Sequence, residues 1–571
     1  MINFDSKNLA MGNRPSGEKE NGRVQTVIHL RDAMERLERH LTGLDAAFLD
    51  HAKEQAKGFV SLDSKNEFML NGAHVRCSRF VGVLSGPCVG AVTETSVRLR
   101  LEIDAPAEVT CYVSKKDQDT PKGRLVASKT ISMIPGIPGT FRIDGLCPGE
   151  RYCYCFGGLR RRDAVSRVGR FRTWGGRNRS SVRIALVGSN GWSDVERDAV
   201  HFNAWEYLAD VVTEESEGVQ LALHLGDQVC GVGHEMTTGV WHSKTRRRLE
   251  RRMATDQYRC TLNMSHARTV FANCSNLTVC GDGDRALGRF NYCRYQYKLR
   301  EGVSDENDEE SDEFHHAHVL GPLAIFCMHL QGANRWAGEA RDSSRPLISD
   351  AQISELEALL ERDDIRLVVL TTSAPIVEYS QVEIDTLRTS DRVEHGRWSS
   401  PESKEITNRV LERLFAWKRV GMRRGRDVIV VCGGVPVSVE TTIRDPTMEV
   451  SLMQYAVGPI GASPSSFMPA LEGSFGRYQF VHRPRSLNRS FGVLTLEPYN
   501  ATGPSQLNVP MFAPPVASFP WPLWPAVRSH VRWRDAYVDV SESAPSHLEL
   551  LRRSEERRVG KECRSRWSPY H

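Results

Sequence analysis

The hydrophobic positions of this chain change period twice. Val27, Leu30, Met34, Leu37, Leu41, Leu44 and Phe48 recur at alternating steps of three and four, which predicts a heptad-patterned helix within residues 26–55. A seam of that length is marginal alone, so it either packs on its own domain or pairs with a second copy of the chain through residues 27–48. From Gly86 the period drops to two. Val97, Leu99, Leu101 and Ile103 alternate with Arg98, Arg100 and Glu102, and Val109, Cys111 and Val113 repeat the pattern, predicting a β-sandwich over residues 80–175. Residues 181–500 change again, to short apolar runs separated by helical segments. Predicted strands are Arg183–Val187, Val219–Leu225, Leu277–Cys280, Pro322–Met328, Leu367–Leu370 and Val428–Cys432. A helix carries Val200, Ala204, Tyr207, Leu208 and Val211 on one face, and another runs from the cap Ser349 to Leu360. Strands alternating with helices predict an α/β layered core.

Charge removes several function classes. The chain has 75 Lys+Arg against 71 Asp+Glu. The tail, residues 553–571, contributes six basic and three acidic side chains, resembles a translated sequencing adapter and is expected to be dispensable. A nearly neutral remainder gives no electrostatic footprint for nucleic acid. No apolar run reaches the length of a membrane span, and no signal peptide is legible, so a cytoplasmic location is expected. The 14 cysteines lack zinc spacing, which predicts reduced thiols. Residues 1–25 are polar and predicted disordered. Glu301–Glu313 reads as an acidic insertion before His315, His316 and His318, and residues 501–552 as a Pro/Trp-rich extension expected to wrap the surface.

Four ordered stretches carry a resemblance. Arg183-Ile-Ala-Leu-Val-Gly-Ser-Asn190, Leu223-His-Leu-Gly-Asp227-Gln-Val-Cys230, Thr278-Val-Cys-Gly-Asp282-Gly-Asp284 and Val428-Ile-Val-Val-Cys-Gly-Gly434-Val-Pro436 resemble the motifs of the alkaline-phosphatase-D-like (PhoD-type) metallophosphoesterases. Ile143 to Tyr154 likewise resembles the proline-glycine-tyrosine corner of fibronectin-type sandwiches. The resemblance spans residues 80–500. It implies a two-domain fold, α/β and all-β: an immunoglobulin-like β-sandwich followed by an αββα metallophosphoesterase sandwich.

The same resemblance implies hydrolysis of phosphate esters by two metal ions about 4 Å apart, held by carboxylates, amides and imidazoles. Asp227 falls at the bridging position, Asp282 at the next ligand, and Asn190 at a weaker oxygen of the first loop, with Asp194 nearby. The departures are heavier. Cys230 and Val232 stand where the family has tyrosine and aspartate; Gly283 replaces a histidine; Gly434 and Pro436 replace an aspartate and a histidine. His329 falls after a strand where an aspartate is usual, and His224 reads as a packed core histidine. The expectation is an impaired or inactive centre holding one divalent ion or none. The alternatives are a phosphodiesterase with an atypical metal site and a non-catalytic scaffold using the remnant cleft.

Overall fold

A computed structural model describes residues 67–115, 123–175, 182–190, 203–214, 218–229, 244–303, 313–331, 346–388, 397–462, 469–487, 489–498 and 527–535. The heptad seam, residues 1–25, Asp194, Cys230, Val232, most of the acidic insertion and the tail lie outside the described residues.

A short hairpin, β1 (Glu67–Leu70) and β2 (Ala73–Arg76), precedes seven strands: β3 (Val83–Val92), β4 (Val97–Ile103), β5 (Ala107–Lys115), β6 (Arg124–Met133), β7 (Gly139–Ile143), β8 (Arg151–Gly157) and β9 (Gly169–Arg172). They form two antiparallel sheets, β3-β4-β7 and β6-β5-β8-β9, that share one apolar core. Val97, Leu99 and Phe141 of the first sheet share this core with Val109, Val113 and Phe156 of the second, the Phe141 and Phe156 rings lying 5.3 Å apart. Tyr152 closes the corner between β7 and β8: its hydroxyl accepts from the Cys147 N–H at 2.8 Å.

The rest of the chain supplies β10 (Val182–Val187), β11 (Leu221–Leu225), β12 (Ser275–Val279), β13 (His316–Leu320), β14 (Leu323–Cys327), β15 (Leu367–Thr372), β16 (Asp427–Cys432), β17 (Ser438–Asp445), β18 (Val450–Ala456), β19 (Glu472–Phe475), β20 (Tyr478–Ser486), β21 (Ser490–Pro498) and β22 (Val527–Asp535). One sheet has the order β12-β11-β10-β21-β22, the other β13-β14-β15-β16-β18-β17-β20-β19. β10, β11 and β12 run parallel, as do β14, β15, β16 and β18. Ile184, Leu186, Leu223 and Leu277 of the first sheet share a core with Ile325, Val369 and Val431 of the second. The opposite faces are covered by helices: Asn203–Thr213 and Ser265–Asn273 on one side, Asp350–Glu361 and Lys404–Gly421 on the other. Burial on both faces explains why these strands read as unbroken apolar runs. Ser349 caps its helix by accepting from the Gln352 N–H at 3.3 Å.

One segment departs from the sequence-based expectation. Val527–Asp535, counted above with the C-terminal extension, joins the five-stranded sheet as its edge, antiparallel to β21 over nine residue pairs. The proline-rich run just before it masks this strand's alternation. Ending the chain after Ala526 is therefore expected to lower the melting temperature by several degrees, whereas ending it after Arg552 leaves it unchanged. Equal melting of the two truncations would show that β22 contributes nothing.

A cleft at the strand ends

The carboxyl ends of the parallel strands from both sheets converge on one cleft of about 180 Å3. Ser189 follows β10, Asp227 follows β11, Asp282 and Arg285 follow β12, and Leu330 follows β14; Ser373 and Gly434 follow β15 and β16. Ligand sites of open α/β sheets form at such ends, where loops are free of sheet hydrogen bonds and can turn side chains inward. Arg397 completes the polar lining, and Ala374, Val435, Pro436 and Pro459 supply apolar wall.

The turn after β11 is locally forced. Gly226 has φ +93° and Asp227 φ +51°, a left-handed pair in which aspartate is tolerated better than most residues. Asp227 Oδ1 accepts from the Gly283 N–H at 2.6 Å. Burial pushes the Asp227 carboxyl up to about 6, with Asp282 adding to the rise, while the Gly283 N–H, Arg285 and Arg397 oppose it. Asp282 is about half exposed, at 48%, and is bonded to the Arg285 guanidinium. Arg285 is 4% exposed and also donates to the carbonyls of Leu330 and, at 3.1 Å, Gln331. Burial works against its charge, but Asp282, Cys280 and Asp227 together more than compensate, and its ionisation is held above the usual arginine range. Arg397 Nη1 reaches Glu378 at 3.2 Å and the Gly434 carbonyl at 3.3 Å.

The remaining sequence-named residues lie elsewhere. Asn190 differs from the expected first-loop ligand: it is fully buried, its Oδ1 accepts from Trp205 Nε1 at 3.0 Å, and its amide donates to the Gln228 carbonyl at 3.3 Å. Those bonds draw its side chain into the fold, and it is not part of the cleft lining. His329 packs its ring edge-on against Phe314, 5.2 Å between centroids, and is likewise not part of the lining. His224 is a core histidine between Gln228 and Asn276, stacked on Phe271, and burial lowers its pKa to about 4. Among the described residues no group of three or more histidine, cysteine, aspartate or glutamate side chains is arranged to hold a metal ion. Among the described residues the donor set in the lining, Asp227 plus a guanidinium-bound Asp282, does not fit a two-metal centre.

Two residues, Arg285 and Arg397, carry the site beyond what the motifs indicate, and a third, Asp284, lies within a motif but without a role assigned from it. Arg285 is three positions after Asp282, a spacing at which helical side chains meet, and that was its only signal. Arg397 comes from a loop outside every motif. Asp284 is fully buried behind the cleft, accepting from Gln296 at 2.9 Å and from the Gly281 N–H at 3.1 Å. Burial, and then Asp227, push its carboxyl up to about 7.

Raised carboxyl pKa values mean that the folded state holds these protons more tightly than the unfolded chain. The associated stability is fully present below about pH 4 and is lost as pH rises through 6 to 7. Buried histidines such as His224, His318 and His482, lowered to about 4, act in the opposite sense over an overlapping window, between about pH 4 and the ordinary histidine range. The informative quantity is thus the wild-type melting temperature minus that of Asp284→Asn. It is expected to fall between pH 5 and 8 by the equivalent of roughly 2–4 kcal/mol. A flat difference would show that Asp284 ionises normally.

The layers, the parallel-strand ends and the shared cleft define a mixed α/β protein of several sheets. No family model and no curated protein matches the sequence. Among solved structures the chain is similar to "Structure of PhoD", with a TM-score of 0.51 and 13% identity over 84% of this chain and 98% of that one. At that identity the likeness concerns the fold: the chain has a PhoD-like fold. A Ruminococcus gnavus β-glucuronidase (TM-score 0.20, 10% identity, 63% of this chain and 55% of that one) and a Bifidobacterium adolescentis β-glucosidase (TM-score 0.14, 14% identity, 22% and 19%) superpose too loosely to bear on it.

Proposed function

We propose that this chain is a PhoD-type metallophosphoesterase-fold protein, an immunoglobulin-like sandwich followed by an αββα domain, whose hydrolytic centre is inactive. The observation that carries this reading is the content of the cleft. Two arginines, Arg285 and Arg397, stand among its strand-end loops, and the positions where the resemblance calls for ligands hold Gly283, Gly434 and Pro436. Glycine and proline side chains neither ligate metals nor transfer protons. Losing a histidine acid typically costs 10²–10⁴-fold in rate, and losing a partner of a metal ligand about 10–100-fold in affinity. These losses fall on one cooperative site. At most one divalent ion, held weakly through Asp227 and Asp282, is expected, and the cleft is left as a binding surface.

The test is hydrolysis of bis-aryl and aryl phosphates with manganese, calcium and iron supplied in turn. Turnover indistinguishable from that of an Asp227→Asn variant supports the reading. Metal-dependent turnover that Asp227→Asn abolishes would restore the phosphodiesterase alternative.

A further inference from the structure

The surroundings of Arg285 have a chemistry of their own. Its guanidinium donates only to oxygen: the Asp282 carboxylate and the Leu330 and Gln331 carbonyls, with Asp227 contributing its charge from the same wall. Carboxylate plus backbone carbonyl is the donor set that a hard divalent cation takes. Two loops from different sheets meet there, one after β12 and one after β14. Bringing their oxygens together without a cation would leave buried carbonyl dipoles facing one another and a half-exposed carboxylate.

We infer that Arg285 is a tethered cation that takes the electrostatic place of a metal ion, neutralising Asp282 and Asp227 and tying the β12 loop to the β14 loop. The inference rests on the inactive-centre reading and extends it. The positive charge that the carboxylates need is supplied by the chain itself, so the fold at this cleft does not depend on divalent ions. Arginine suits this role because its planar fork reaches several oxygens at once and stays charged when buried. The geometry of the helix Asp282–Ala286 places it, since Asp282 and Arg285 are one turn apart.

Removing the guanidinium should uncover an oxygen cluster that a divalent ion can fill. Thermal melts of the wild type, Arg285→Ala, Arg285→Lys and Arg285→Gln are compared in chelator and in excess manganese or calcium, with metal binding measured by calorimetry. The wild type and Arg285→Lys should melt at the same temperature with and without metal. Arg285→Ala should melt lower in chelator and recover about 2–3 °C in metal, binding the ion at least tenfold more tightly than the wild type does; stabilisation of that size follows when the ion is far above its Kd. If Arg285→Ala does not fold under either condition, the other two variants decide. Arg285→Lys folding well while Arg285→Gln does not supports the charge role, and equal behaviour of the two overturns it. A wild type whose melting rises with metal as much as that of Arg285→Ala also overturns it. None of these readouts depends on hydrolysis, so failure here and failure of the inactive-centre reading are separable.

Discussion

Restoring histidine at position 283 together with aspartate at position 434 is expected to damage the fold instead of reviving a metal centre. A Cβ on Gly283 would lie 2.7 Å from the Val229 carbonyl and 3.1 Å from Asp227 Oδ1. One on Gly434 would lie 2.4 Å from the Ser373 carbonyl, at a residue whose φ is +66°. Backbone carbonyls cannot swing aside as side-chain ends do. Overpacking costs roughly 1–3 kcal/mol per site, and a non-glycine residue held at such a φ adds about 1–3 kcal/mol. Together the two changes should cost on the order of 4 kcal/mol and lower the melting temperature by about 3 °C. The backbone around Gly283 and Gly434 leaves no room for a side chain, so on the proposed reading the two-metal centre cannot be rebuilt by these substitutions alone. A Gly283→His/Gly434→Asp variant that melts like the wild type and takes up two metal ions would contradict this.

The second large effect concerns how the sandwich is joined to the α/β region. Glu102 of β4 is fully buried and accepts from Ser85 Oγ at 2.7 Å, from Arg259 Nη2 at 2.7 Å and from Tyr295 Oη at 3.0 Å. Arg259 and Tyr295 both belong to the α/β region, and Arg100 lies over the Tyr295 ring at 5.5 Å. Glu102→Leu should cost about 3 kcal/mol, because it takes the buried acceptor from the Tyr295 phenol and leaves the Arg259 guanidinium only Asp256. Adding Arg259→Leu should recover part of that loss, since the remaining penalty is a stranded charge and not a missing attraction. Chemical denaturation of the single and double variants measures both. A single variant within about 0.5 kcal/mol of the wild type would show that the junction is held by apolar contact alone.

This junction also shows where sequence reading stops. Alternation along Val97–Ile103 marks a strand, but alone it assigns Arg98, Arg100 and Glu102 to water. All three are buried, because that face of β4 is covered by the α/β region. Period reports a strand's two faces and not what covers each. The parallel strands were legible because burial on both faces makes an apolar run, and the helix at 350–361 because Ser349 caps it. Gly226-Asp227 adopts left-handed backbone, which glycine and aspartate tolerate better than most residues. Of the cleft, Asp227 and Asp282 could be read from motifs, and both line it. Arg397 could not, since it reaches the cleft only through tertiary folding, and Asn190 was misplaced because nothing local reveals that Trp205 holds its amide oxygen.

The central claim, a PhoD-like fold whose cleft no longer holds a two-metal centre, is tested most directly by the metal stoichiometry of the purified chain. Elemental analysis after equilibration with manganese, calcium and iron, followed by brief chelation, separates tight from weak binding. The account predicts at most one ion per chain, removed by the chelator. Two ions per chain that survive chelation, and are lost together in Asp227→Asn, would contradict it.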